Sequence, residues 1–129
     1  MTVTFRIPYP STRKGRVAWS REYGLNAIYA GKHWHKRNAD KEFWHALVRS
    51  ELRRQRVPQV QFENPVEVTF SWSDGLDCDN HAYMGKMILD SLSGYLIKDD
   101  NRRYVQQITH KFHGKDYILV EVEEHGESM

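Results

Sequence analysis

Three features of the sequence predict an α+β domain with a small mixed or antiparallel sheet and two main helices. Apolar residues alternate at period two near the start, in the middle and near the end of the chain. Two longer segments carry apolar residues at helical spacing. The elements run strand, long loop, helix, strand, helix, hairpin, an order that reads as α+β. At 129 residues the chain is expected to form one domain, 1–129, with a single core.

Val3, Phe5, Ile7 and Tyr9 alternate with Thr4, Arg6 and Pro8, which predicts a first strand over about residues 3–8, with Pro8 and Pro10 marking an edge or its end. From Ser11 to about Gly31 the periodicity fails, and a long functional loop is expected. Its Arg13, Lys14, Arg16 and Arg21 suit phosphates, and Trp19 and Tyr23 suit stacking on bases or packing on the core. Lys32, His33, His35, Lys36 and Arg37 follow, where a helix from about His33 to Arg54 begins. Cations there oppose the helix dipole, so either an anion is bound or the helix starts later, capped by Asn38. Phe43, Trp44, Leu47, Val48 and Leu52 form the apolar stripe of this helix; Lys41, His45, Arg49 and Arg53 form a charged ridge, either solvated or facing DNA.

Val57-Pro58 ends the helix. Val66, Val68, Phe70 and Trp72 alternate with Glu67, Thr69 and Ser71 as a second strand, and a Ser73-Asp74-Gly75 turn delivers the chain to Asp77 and Asp79. A helix beginning near Asp79 buries Met84, Ile88 and Leu92, with Gly94 as its cap. Tyr104–Phe112 and Tyr117–Val122 read as a hairpin around His113–Asp116, and Glu121, Glu123, Glu124 and Glu127 as a frayed acidic end.

Composition narrows the function classes. Hydrophobic residues make up 40% of the chain and mean hydropathy is −0.74, as in a soluble globular protein. No run approaches the roughly 18 apolar residues of a membrane helix, and MTVTFRIPYP does not read as a signal peptide. No membrane partner is expected. The single cysteine, Cys78, cannot close an internal disulfide, which points to the cytoplasm; between two aspartates it reads as an inert spacer. The net charge of +2 divides into +9 for residues 1–56 and −7 for residues 57–129. A basic half suits a polyanion and an acidic half suits divalent cations, although two solvated surfaces give the same division.

The acidic half concentrates its chemistry in Asp77–Asp100, with five aspartates in 24 residues. Advancing about 100° per residue from Asp79 places Asp79, Tyr83, Lys86 and Asp90 within roughly 60° of one another. Two unit charges about 4 Å apart repel by about 4 kcal/mol at an effective dielectric near 20. Gathered aspartates therefore stay apart, share protons or hold a cation. The plainer alternative is an N-cap at Asp77 or Asp79, a Lys86–Asp90 surface pair and a polar turn at Asp99-Asp100. An EF-hand is excluded, because its fifth and sixth positions would be His81 and Ala82.

Asp77-Cys78-Asp79-Asn80, then Lys86, Asp90-Ser91-Leu92 and Asp99-Asp100 together resemble the motif of the RusA family of Holliday junction resolvases. The resemblance is strong in the middle of the chain and only in outline at its ends. In one respect the pattern departs: the family lysine follows the Asn by three residues, near Tyr83 here, whereas Lys86 follows Asn80 by six. One extra helical turn would return the lysine to the same face.

The resemblance implies a C2 homodimeric endodeoxyribonuclease, of a type often phage-encoded, that uses Mg²⁺ or Mn²⁺ to cut four-way junction DNA. It implies metal ligation by Asp77, Asp79 and Asp100, with Asp90 and Asp99 as helpers, and a catalytic Lys86 that orients a carboxylate or stabilises the transition state as a point charge. DNA contacts are expected from Arg13, Lys14, Arg16, Arg21, Lys32, Lys36 and Arg37. Two other classes stay open: a non-catalytic junction-binding module, and a protein without nucleic acid whose acids form a structural cation site.

Overall fold

A computed structural model of the chain describes residues 1–126, so Glu127 lies outside the described residues. Four strands, β1 (Thr2–Pro8), β2 (Val66–Trp72), β3 (Val105–Phe112) and β4 (Tyr117–Glu124), form one mixed sheet in the order β1-β4-β2-β3. The helices are α1 (Arg13–Tyr23), α2 (Leu25–Tyr29), α3 (Trp34–Arg54) and α4 (Ala82–Leu92), the last preceded by a 3₁₀ turn at Cys78–His81. The α+β class stands.

Period-two patterning sets the register. Val3, Phe5 and Ile7 of β1 lie opposite Val122, Val120 and Ile118 of β4, and Val68 and Phe70 of β2 meet Val122 and Val120 from the other side. This face is buried against Trp44, Val48 and Leu52 of α3 and Met84, Ile88 and Leu92 of α4. Burying each such Leu, Val or Met contributes about 1.5–3 kcal/mol. Thr4, Arg6, Glu67, Thr69 and Glu121 occupy the alternate positions, as expected for a sheet covered on one side.

The expected C-terminal hairpin does not form. β3 pairs in parallel with β2, and β4 pairs antiparallel with β1 and β2, so β2 separates the two. β4 has the strict apolar alternation that a central position rewards: Ile118, Val120 and Val122 are buried. β3 has mostly exposed residues and takes the edge. The link at 113–116 passes the end of β2, where the Trp72 carbonyl accepts the His113 N–H at 3.0 Å. The acidic end is also more ordered than expected through Glu124, whose strand is paired and whose carboxylate accepts from Asn64.

The long basic loop is replaced by α1 and α2. Thr12 caps α1, its Oγ1 accepting the Gly15 N–H at 2.9 Å. The mixed composition that obscured periodicity is a narrow aromatic stripe: Trp19 is buried, and its ring meets those of Tyr23 and Trp44 edge-on at 5.1 and 4.9 Å. The α3 boundary is nearly as read, but its cap is His33, whose Nδ1 accepts the His35 N–H, rather than Asn38. Its exit is a Schellman turn with Val57 N–H on Leu52 O at 2.9 Å, and Arg56 takes the left-handed position at φ 57° that glycine usually holds. Among the described residues no helix is long and apolar enough to cross a membrane.

Candidate metal and nucleic-acid site

The second strand ends in the Ser73–Gly75 turn, and the chain from Asp74 to His81 is tied at both ends. His81 is fully buried; its Nε2 lies 2.7 Å from Asp74 Oδ1 and its Nδ1 lies 3.1 Å from the Cys78 carbonyl. Its ring stacks on Trp72 at 4.4 Å between centroids. The other oxygen of Asp74 accepts the Tyr9 hydroxyl at 2.9 Å. Burial alone would push the Asp74 carboxyl up; hydrogen bonds from His81, the Leu76 N–H and Tyr9, with the His81 charge, outweigh it and hold the group below its usual range. The fixed segment carries Asp77 and Asp79, both exposed. Asp77 also accepts the Asn80 N–H through its carbonyl, and Asn80 Oδ1 accepts the Asn26 N–H, joining the turn to α2.

The 3₁₀ turn changes the predicted helix face. Because α4 starts at Ala82, Asp79 is not on the α-helix, and Tyr83 turns inward rather than joining the acids. The Tyr83 hydroxyl donates to buried Asp40 at 2.6 Å, and burial followed by that bond raises its pKa. Lys86 and Asp90 do share a face: Nζ is 3.3 Å from Asp90 Oδ1 and 3.7 Å from Asp100 Oδ2. Asp100 arrives from the turn after α4, whose geometry Asp99 sets by accepting the Asp100 N–H on Oδ1 at 2.7 Å and the Asn101 amide on Oδ2 at 3.2 Å. Asp99 is thus occupied within its own turn.

Lys86 and Asp100 rim a cleft of about 340 Å³ between α4 and the edge strand β3, floored by Gly85, Leu89, Ile108 and His110. Gly85 permits the close approach: a Cβ there would stand 2.9 Å from the His110 ring. His110 accepts the Trp72 indole N–H on Nδ1 at 3.1 Å, and its pKa is lowered by burial and then by the charge of His81. Cys78 Sγ donates to the His110 carbonyl at 3.2 Å, so this thiol ties the acidic turn to β3 rather than only spacing two aspartates.

Asp77, Asp79 and Asp100 fit a hard cation by donor type, since all offer carboxylate oxygen. Among the described residues, however, no three His, Cys, Asp or Glu side chains are gathered so as to hold an ion. The trio that meets is Lys86, Asp90 and Asp100. Mg²⁺ commonly takes one or two carboxylates and keeps water in the rest of its shell, a demand the exposed pair Asp77 and Asp79 suits in donor chemistry.

The basic residues separate into two groups. Arg13, Lys14, Arg21, Lys36 and Arg37 are exposed. Arg16 bonds the Pro10 carbonyl at 3.0 Å, pairs with Asp116 and covers the Tyr9 ring. Lys32 is turned inward, its side chain 5% exposed, with Nζ 2.5 Å from Asp40 and 3.0 Å from Glu22. Trp19 and Tyr23 belong to the aromatic core, and Arg49 leaves its expected ridge to bond the Ser91 and Ser93 carbonyls at 2.9 and 2.7 Å.

The Asp74–His81 pair and His110 were not identified from sequence. The seven-residue spacing of Asp74 and His81 around the acidic turn was the available signal for the pair, and His110 had none beyond its place in a strand. No protein-family model matches the chain, and no curated protein matches it.

Proposed function

We propose that the protein is a Mg²⁺-dependent, structure-selective endodeoxyribonuclease that resolves four-way DNA junctions by paired phosphodiester hydrolysis in recombination and repair. The observation that carries this reading is the meeting of Lys86 with Asp90 and Asp100 on an open cleft, next in sequence to the anchored turn that bears Asp77 and Asp79. The motif's resemblance to the RusA resolvases supplies the substrate class. Mn²⁺ is the natural substitute for Mg²⁺ in such an oxygen-donor site.

Asp77, Asp79 and Asp100 would hold the cation, which when bound supplies an activated water and offsets charge at the scissile phosphate. Lys86 Nζ, 63% exposed along its side chain, holds Asp90 and Asp100 in place and presents a compact positive charge to a phosphate oxygen. Arg13, Lys14, Arg21, Lys36 and Arg37 would steer and grip the DNA backbone. A junction with near two-fold symmetry needs two cuts, which a C2 homodimer meets with two copies of one site. Exposed Phe112 at the end of edge strand β3 lies outside that cleft and offers a surface for the second copy.

A non-catalytic junction-binding module is favoured by one observation: the acids are not gathered into a three-ligand group among the described residues. A nicking assay on four-way and duplex DNA, with Mg²⁺ and with EDTA, separates the readings. Mg²⁺-dependent cutting of the junction supports the nuclease; tight junction binding with no cutting sinks it in favour of the module.

A further inference from the structure

We propose that the groove between α2, the start of α3 and α4 is a nucleobase pocket, which takes one unstacked DNA base beside Trp34 while the flanking phosphates rest on Arg37 and Lys41. The inference rests on the reading of this protein as one that acts on DNA and extends it to a site that sets base preference next to the cut.

The groove encloses about 520 Å³, within the roughly 300–1,000 Å³ of typical ligand pockets. Leu25, Ile28, Met87 and the Tyr83 ring supply its apolar surface. Trp34 stands on the rim with 53% of its surface exposed, whereas Trp19, Trp44 and Trp72 are buried. His35 and His33 hold its ring, with centroids 3.6 and 5.8 Å away. Core packing does not require a tryptophan in that place. Arg37, Lys41 and Lys86 line the same groove, no carboxylate among the described residues does, and the Asn38 amide adds a neutral donor and acceptor.

The combination selects the occupant. A lone phosphate would not use the apolar surface, and an apolar peptide would not use three cations. A nucleotide uses both, through base stacking and phosphate pairing. The groove is also firm behind: Tyr83 is fixed by its 2.6 Å bond to Asp40, which Lys32 neutralises at 2.5 Å. Lys86 lines both this groove and the cleft that Asp100 rims. A strand crossing Lys86 would place a base in the groove and a neighbouring phosphate beside Asp90 and Asp100.

The test uses the full chain in EDTA, which separates it from cleavage, with a short oligothymidylate and an abasic oligonucleotide of equal length and charge. The base-bearing strand is expected to bind at least tenfold more tightly and to shield the exposed tryptophan from iodide quenching. Trp34→Ala should remove that preference, Trp34→Phe should keep it, and Arg37→Ala with Lys41→Ala should weaken both strands together. Equal affinity for the two strands in the unaltered protein, or unchanged iodide access to Trp34 when the strand is bound, overturns the pocket without any variant needing to fold. Base preference in a protein that does not nick junctions would leave the pocket standing and sink the nuclease reading alone.

Discussion

The ring of His81 meets the carboxylate of Asp74 at 2.7 Å in the interior, closing the segment that holds Asp77 and Asp79 between them. Both side chains are almost wholly buried, at 0% and 5% exposure. Removing one member of such a pair leaves the other without its partner, at a cost of about 3–5 kcal/mol. Asp74→Ala should therefore lower the free energy of unfolding by that amount in urea titrations. A loss below about 1 kcal/mol would mean that water replaces the carboxylate and the pair does not anchor the turn.

Acidification should weaken the same network in two stages. Burial, and then the charge of His81, keep folded His110 below its usual pKa. The unfolded chain thus takes a proton at about pH 6.5 that the folded chain does not. That contribution is complete above about pH 6.5 and is lost as pH falls through the lower folded value. For Asp74, burial raises the carboxyl but its hydrogen bonds prevail, so its folded pKa is also depressed. Its contribution is present above about pH 3.9 and is lost as pH falls through the folded value. Stability measured from pH 8 to 3 should show both steps, with His110→Gln removing the upper one and Asp74→Ala the lower. A single step unaffected by His110→Gln would count against the first.

The fold was legible where one period dominated. Val3, Phe5 and Ile7, or Val66, Val68 and Phe70, permit only one buried face, and Met84, Ile88 and Leu92 fix the inner face of α4. What escaped depended on partners distant in sequence. Whether Trp19 stacks on bases or packs on the core is open in sequence, because its neighbours in the aromatic cluster, Phe43 and Trp44, lie on α3. Lys32 reads as a DNA contact in sequence, and its partner Asp40, eight residues on, shows only once α3 turns it inward. Neighbouring β3 and β4 suggested a hairpin, since sequence alone does not show that β2 lies between them. In the site, the Lys86–Asp90 pair followed from helical spacing, whereas the turn expected to carry Asp99-Asp100 towards Asp77 and Asp79 brings Asp100 to Lys86, and the displacement of Asp79 from α4 depended on a 3₁₀ turn held by Asp74 and His81.

Neutral isosteres should separate chemistry from binding at the acids. Asp79→Asn and Asp100→Asn remove charge without adding bulk; Asp79 is exposed, and the Asp100 carboxylate lies 3.7 Å from the Lys86 ammonium. Each is expected to abolish Mg²⁺-dependent junction cleavage while gel-shift affinity in EDTA stays largely intact. Substantial cutting by both variants would remove these residues from the proposed metal site.

Basic residues on α1 should control salt dependence. Each phosphate neutralised releases condensed counterions, giving a slope of about −0.9 per contact in log affinity against log salt on duplex DNA. Arg13 and Lys14 are exposed in the first turn of α1, whereas Arg16 is engaged with Pro10 and Asp116. Arg13→Ala with Lys14→Ala should flatten the slope by about two. An unchanged slope and affinity would take α1 out of the DNA interface.

Lys86 decides between an ion pair and a catalytic group. Tyr83, near the slot that the resembled family gives to its lysine, is buried with its hydroxyl on Asp40, so it does not compete for the role. Lys86 lies one turn further along and reaches both Asp90 and Asp100, at 3.3 and 3.7 Å. As a surface pair this arrangement contributes only about 0.3–0.5 kcal/mol, further reduced by salt. Lys86→Ala should therefore leave the melting temperature and EDTA-measured junction affinity almost unchanged. If the ammonium stabilises charge on the phosphate, the same variant should slow single-turnover cleavage at least tenfold, about 1.4 kcal/mol of barrier. Lys86→Arg should restore little, because a planar guanidinium does not present the compact charge of an ammonium. Cleavage at the normal rate by Lys86→Ala would make the lysine a tether for Asp90 and Asp100 alone, and would leave the chemistry to the aspartates and their cation.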